Sequence, residues 1–256
     1  MNTRGITTYR YTVDPDAGSL PIFSERVNLD LWWISLLQPQ QVLDCCREVL
    51  SSGEMRKAAS FHFQRDRDRW VIARGAIRHV LATYLKVSPR ELRFQYGGHG
   101  KPDVMDAINQ PGLKFNLSHS GDFALAAVTR KVNVGVDVEL IRPEVSGVEI
   151  AKEFFSPRDV QKLTQLTPRQ QVEVFFECWT LKEAYLKACG AGLSVRLDSF
   201  DVVRESQNLP ALLAVAQQSG EVEHWKMYSL PAPPGYKAAM VASAGEHHIE
   251  HWKWAL

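Results

Sequence analysis

Asp137 and Glu139 stand two residues apart in Val132-Asn133-Val134-Gly135-Val136-Asp137-Val138-Glu139-Leu140, a run that alternates without a break. In a strand the side-chain period is two and the rise about 3.3 Å per residue, so both carboxylates leave one face, roughly 7 Å apart at their roots. Two anions that close repel unless a cation sits between them, and hard cations such as Mg²⁺ take oxygen ligands. The same alternation also describes an amphipathic strand whose polar side faces water. Its neighbours must decide between the two.

The second group with chemistry in it is Trp179-Thr180-Leu181-Lys182-Glu183-Ala184-Tyr185-Leu186-Lys187. Residues three or four apart share a helix face, so Val172, Phe175, Phe176 and Trp179 form an apolar stripe that runs on into Glu183, Leu186 and Lys187. A stripe that faces a core and ends in a carboxylate and an ammonium is costly unless those charges have work or partners. Taken alone, Glu183 and Lys187 at i, i+4 would be a surface ion pair.

Three further segments could meet an anion. Asn116-Leu117-Ser118-His119-Ser120 reads as a turn, where Ser118, His119 and nearby backbone N–H groups could reach one phosphate. Adjacent side chains diverge, which argues against a Ser-His nucleophile pair. Gly97-Gly98-His99-Gly100-Lys101-Pro102 could let the backbone approach a phosphate, with Lys101 supplying charge, although it is no Walker loop. Lys57 and Arg65, Arg67, Arg69, Arg74 and Arg78 enrich one region in positive charge, with Asp66 and Asp68 interleaved as in a self-paired, solvated helix face.

The elements that must position these residues alternate along the chain. Strands are expected over Val27–Leu36, Phe123–Val128, Val132–Leu140, Val195–Val203 and Gly235–Ala242, and helices over Pro39–Ser51 and, after Gly53, to about Leu85. Thr167 as cap, Pro168 in the first turn and Gly190 as stop predict a third helix. Asp14–Gly18 and Pro231–Pro234 read as exposed. A weak echo at an offset of 105 residues relates Arg26–Leu31 to Lys131–Val136 and Ala73–Leu85 to Cys178–Gly190. It implies two similar α/β halves, with a cleft at their interface.

Composition narrows the classes. The chain has 256 residues, 45% of them hydrophobic, which suffices for a sizeable core. Lys plus Arg total 30 against 29 Asp plus Glu, so nucleic acid is a poor partner on charge alone. Met1–Leu20 shows no secretory signal, and no run approaches the ~18 apolar residues of a membrane span. Cys45, Cys46, Cys178 and Cys189 form no metal or disulfide spacing, as expected of a reduced, cytoplasmic protein.

In order, Lys57, Gly100-Lys101-Pro102, Ser118-His119-Ser120, Gly135-Val136-Asp137-Val138-Glu139 and Trp179–Lys187 resemble the motifs of the 4'-phosphopantetheinyl transferases, specifically the larger, pseudo-dimeric Sfp-type members. The resemblance spans about Glu54–Leu193 and rests most on G-V-D-V-E and W-T-x-K-E-A-x-x-K. It implies an α+β fold of two halves, about 1–129 and 130–256, related by a pseudo-twofold with the site in the cleft between them.

It also implies transfer of the phosphopantetheine arm of coenzyme A to a serine of an apo acyl or peptidyl carrier protein by a monomer, releasing 3',5'-ADP. Asp137, Glu139 and Glu183 would hold Mg²⁺, with Glu183 and Lys187 catalytic. Ser118 and His119 would take the 3'-phosphate, Lys57 the adenosine end, and Lys101, beside Pro102, and Lys187 the phosphates. Where some members carry a basic residue three positions before Lys57, this chain has Glu54, so Arg69 or Arg74 would take that part. Two alternatives remain open from the residues themselves: a metal-dependent phosphate hydrolase, and a non-catalytic module that binds carrier proteins or RNA through the Arg-rich helix.

Overall fold

The computed structural model describes residues 27–97, 100–105, 112–130, 132–190, 195–202, 225–243, 245 and 247–256. The fold is mixed α+β, and the chain divides into two compact units.

The first unit opens with β1 (Val27–Ser35), whose Leu29, Leu31 and Ile34 are fully buried. Helix α1 (Gln40–Glu48) follows as expected. The long Arg-rich helix is two helices. Ser51 and Glu54 close a reciprocal capping box that starts α2 (Ser52–Ala59), and α3 (Gln64–Leu85) begins after a four-residue break. Short strands β2 (Phe94–Tyr96) and β3 (Pro102–Val104) pair antiparallel, with Pro102 at a strand start, where its missing N–H does least harm.

The expected turn around Ser118 is instead β4 (Lys114–Ser120), hydrogen-bonded along its length to β5 (Phe123–Thr129). The true turn is the two-residue loop Gly121-Asp122, with Gly121 at φ +54°, a conformation tight hairpins ask of their first loop residue.

The second unit begins with β6 (Val134–Leu140), the alternating strand. Helices α4 (Gly147–Phe154) and α5 (Pro157–Thr164) follow, and then α6 (Pro168–Cys189), which starts at Thr167 and stops at left-handed Gly190 as its sequence predicts. Helix α6 is covered on two sides. Phe175 and Phe176 pack with Ala151, Phe155 and Leu163 of the helical layer, while Leu181, Ala184 and Tyr185 pack with Trp225, Met227 and Val241 of the sheet. The sheet is completed by β7 (Trp225–Leu230) and β8 (Tyr236–Ser243), in the antiparallel order β6-β8-β7.

The strand expected near Val195–Val203 is not formed over the described residues 195–202. A single 3-10 turn, Leu197–Ser199, stands there, because the carbonyls of Leu197 and Phe200 accept from the Lys182 ammonium at 2.8 and 2.6 Å. Finally β9 (His247–Lys253) pairs parallel with β1 and completes the first unit's sheet, β4-β5-β1-β9. By contact the chain leaves the first unit near Lys131, and its last residues, from Gly245, return to it.

Candidate active site

The face of β6 that carries Gly135, Asp137 and Glu139 meets α6, so the reading of this face as solvated is set aside. A Cβ on Gly135 would lie 2.1 Å from the Ala184 carbonyl oxygen and 2.4 Å from the Ala188 nitrogen. Only glycine lets helix and strand approach so closely. That approach brings Lys187 Nζ to 2.6 Å from Asp137 Oδ1, with Asp137 only 2% exposed.

One turn before Lys187, half-buried Glu183 faces the same group of charges. Burial first, then the like charge of Asp137, push its carboxyl above the usual carboxylate range, against the opposing pull of Lys187. The structure thus unites Asp137, Glu183 and Lys187 from a strand and a helix 46 positions apart at Asp137 and Glu183 (183 minus 137).

Glu139 lies two residues further along the same face, directly across from Lys237 of β8, which pairs with Glu173 at 2.8 Å. Among the described residues no three or more His, Cys, Asp or Glu side chains are arranged to hold a metal ion. The group that meets Asp137 Oδ1 is the Lys187 ammonium. The donor chemistry nonetheless fits Mg²⁺, which is commonly held by one or two carboxylates together with substrate phosphates and water.

Lys101, expected to contact the phosphates, is tied to the backbone of β6 and α6. Its ammonium donates to the Val134 carbonyl at 3.1 Å and to the Lys187 carbonyl at 2.6 Å, stitching the start of β6 to the last turn of α6. A cation at a helix C-terminus also complements the helix dipole. The spacing G-x-x-G-K-P carries no signal for that role.

Lys182, inside the same helical motif, is a second residue whose role the spacing does not reveal. It is 0% exposed, pairs with Asp159 at 2.8 Å and lies over the rings of Phe155 and Phe200. Burial pulls its ammonium below the ordinary lysine range, against the charge of Asp159. Asp159 also accepts from the Val202 N–H at 3.2 Å, and Ser156, the cap of α5, donates to Asp201 at 2.6 Å. The network ties α5 and residues 197–202 to α6 immediately beside Glu183.

Within the first unit, Ser118 is buried and His119 exposed, as neighbours in a strand must be, so their side chains leave β4 on opposite faces. The expected shared grip of both side chains on one phosphate is not the arrangement found. Arg69 pairs with Asp122, in the hairpin turn just after Ser120, and with Asp66.

Arg74, expected as a stand-in at the adenosine end, is committed elsewhere. It donates to Glu54 at 2.6 Å and to the Tyr96 hydroxyl at 2.8 Å and lies over the Phe94 ring. Arg78 donates to the same Glu54 at 2.6 Å. Burial pulls the Glu54 carboxyl upward, but hydrogen bonds from Arg78 and Ser51 and the charge of Arg74 prevail and hold it below the usual range. Glu54 is thus the anion of a buried Arg-Glu-Arg cluster. Lys57 is exposed on the last turn of α2, its ammonium 5.6 Å from the Phe61 ring centre.

Comparison with known proteins adds an independent line. Residues 133–241 match the model of the 4'-phosphopantetheinyl transferase superfamily, and residues 38–131 match that of the 4'-phosphopantetheinyl transferase N-terminal region. The chain is 37% identical to the 4'-phosphopantetheinyl transferase HetI of a Nostoc species over 236 residues, 92% of this chain and 95% of that one. It is 30% identical to the 4'-phosphopantetheinyl transferase Sfp of Bacillus subtilis over 194 residues, 76% and 82% of the two chains. A mouse L-aminoadipate-semialdehyde dehydrogenase-phosphopantetheinyl transferase is 32% identical over 161 residues, 58% of this chain and 52% of that one.

Proposed function

The chain belongs to the 4'-phosphopantetheinyl transferase family, and on that premise we propose that it moves the phosphopantetheine arm of coenzyme A onto a serine of an apo acyl or peptidyl carrier protein, in an Mg²⁺-dependent reaction. The serine Oγ forms a bond to the β-phosphorus of coenzyme A. The bond from that phosphorus to the bridging oxygen breaks, 3',5'-ADP leaves, and the serine proton passes to a base. The observation that carries the reading is the meeting of Asp137 and Lys187 at 2.6 Å beside a Glu183 of raised proton affinity.

Glu183 suits the base, directly or through one water, because a carboxyl lifted toward neutrality both accepts and releases a proton readily. Lys187 supplies an ammonium for the charge that spreads over phosphoryl oxygens as the bond breaks, in a corner already assembled before reaction. Asp137 and Glu183, with Glu139 on the same face, would hold Mg²⁺, which when bound neutralises the diphosphate. Lys101 fixes the backbone at Lys187, and Lys182 fixes the surroundings of Glu183, as positioning residues.

In the first unit, His119 and Lys57, both exposed, are the groups we assign to the 3'-phosphate and adenosine end, with Arg69 fixing the hairpin turn through Asp122. We further propose that the enzyme acts as a cytoplasmic monomer of two related halves. No helix among the described residues is long and apolar enough to cross a membrane. Incubation with coenzyme A, Mg²⁺ and a panel of apo carrier proteins tests the function. A mass gain of one phosphopantetheine on a carrier is expected, and no gain on any carrier would overturn it.

A further inference from the structure

We propose that Lys187 is a built-in competitor for the cation: its ammonium holds Asp137 until the diphosphate of coenzyme A draws it away, so cation and coenzyme A bind as a coupled pair. This rests on the reading of Asp137 and Glu183 as cation ligands given above.

The two partners of the ion pair differ in how they are held. Asp137 is fixed in the middle of β6, its side chain 3% exposed, whereas the Lys187 side chain is 29% exposed and reaches in on a four-carbon stem. The backbone beneath that stem is anchored: the Lys187 carbonyl accepts from Lys101 at 2.6 Å, and Gly135 lies under the Ala184–Ala188 turn with no room for a Cβ. The ammonium can therefore turn about its own bonds while α6 stays in place.

At 2.6 Å the ammonium makes a charge-assisted contact with an oxygen that a hard cation would need. A divalent ion on the same carboxylate would repel it at close range in a shielded corner. A diphosphate removes the conflict. It offers the ammonium a more highly charged acceptor and offers the cation further oxygen ligands, so one arrival favours the other. By linkage the effect is mutual.

The test follows Mn²⁺ binding to the full chain by water-proton relaxation, with and without coenzyme A. For the wild type, coenzyme A is expected to tighten Mn²⁺ by about tenfold or more. Lys187→Met keeps the stem without the charge. It is expected to bind Mn²⁺ alone roughly tenfold tighter than wild type and to lose most of the enhancement by coenzyme A. Lys187→Arg keeps the cation and should keep the weaker binding of the wild type. Thermal unfolding confirms that each variant is folded, and Lys187→Gln serves if the methionine variant is not.

Mn²⁺ binding by the neutral variant no tighter than wild type overturns the competitor role, while carrier modification by the wild type leaves the functional reading standing. A wild type that modifies no carrier and binds no Mn²⁺ with coenzyme A present overturns that reading, and this proposal with it.

Discussion

Lys182 and Lys187 lie five residues apart on α6, and each meets an aspartate, yet the two pairs serve different ends. The Lys182 pair is sealed: lysine and aspartate are 0% and 1% exposed, and the ammonium also donates to two backbone carbonyls. The Lys187 pair is open on one side and shares its corner with a second carboxylate. A buried charge whose every hydrogen bond is met by protein makes structure. A charge held beside a like charge and within reach of solvent can exchange partners, and that is what transfer chemistry asks of it.

Substitutions at the two pairs should separate accordingly. The largest effect is expected on turnover at the open corner. Asp137→Ala and Glu183→Gln should each lower carrier modification by about 10²–10³-fold or more, with chemical unfolding little changed. Transfer near the wild-type rate in either variant would erase the contrast.

At the sealed pair the larger effect is on stability. Lys182→Met strands Asp159 in the interior and should cost about 3–5 kcal/mol in urea unfolding. The double variant Asp159→Leu/Lys182→Met should recover most of that loss, because no buried charge is then left alone. A stable single variant would mean that Asp159 has an alternative partner.

Titration sharpens the comparison further. Glu183 must be ionised to accept a proton, and its folded-state carboxyl titrates above the usual range, so kcat/KM should fall as pH is lowered through that raised value. Lys187 is the cause that opposes the rise, so in the cation-free protein Lys187→Met should move the titration of Glu183 to higher pH. An acid limb at an ordinary carboxylate value would contradict Glu183 as the base.

The smallest expected effect follows from the same shift. A carboxyl with a raised folded-state pKa binds its proton more tightly folded than unfolded, so it stabilises at low pH and this is lost as pH rises. At neutral pH the ionised group weakens the fold, and Glu183→Gln should raise the melting point slightly. A lower melting point would mean that its charge is fully compensated.

Much of the corner where Asp137, Glu183 and Lys187 meet was legible because strand and helix periods are short-range. The i, i+2 spacing of Asp137 and Glu139 and the i, i+4 spacing of Glu183 and Lys187 each placed two groups on one face. Gly135 was legible as part of a motif but not as the point where α6 presses on β6, since a close approach is a property of two elements. The positioning roles of Lys101 and Lys182 were not legible for the same reason, as each ammonium donates to backbone carbonyls, among them ones 33 and 15 residues away. Ser118 and His119 were misplaced because a polar strand paired through a Gly-Asp loop has the composition of a turn. The parallel pairing of β9 with β1 joins opposite ends of the chain, which no local pattern announces.

That Glu183 and Asp137 serve one reaction is tested most directly by intact-protein mass spectrometry of an apo carrier protein. With coenzyme A and Mg²⁺, the wild type should convert the carrier to its phosphopantetheinylated mass. The folded Glu183→Gln and Asp137→Asn variants should leave it unmodified over the same interval. Full conversion by either variant would show that the transfer is carried out elsewhere in the molecule.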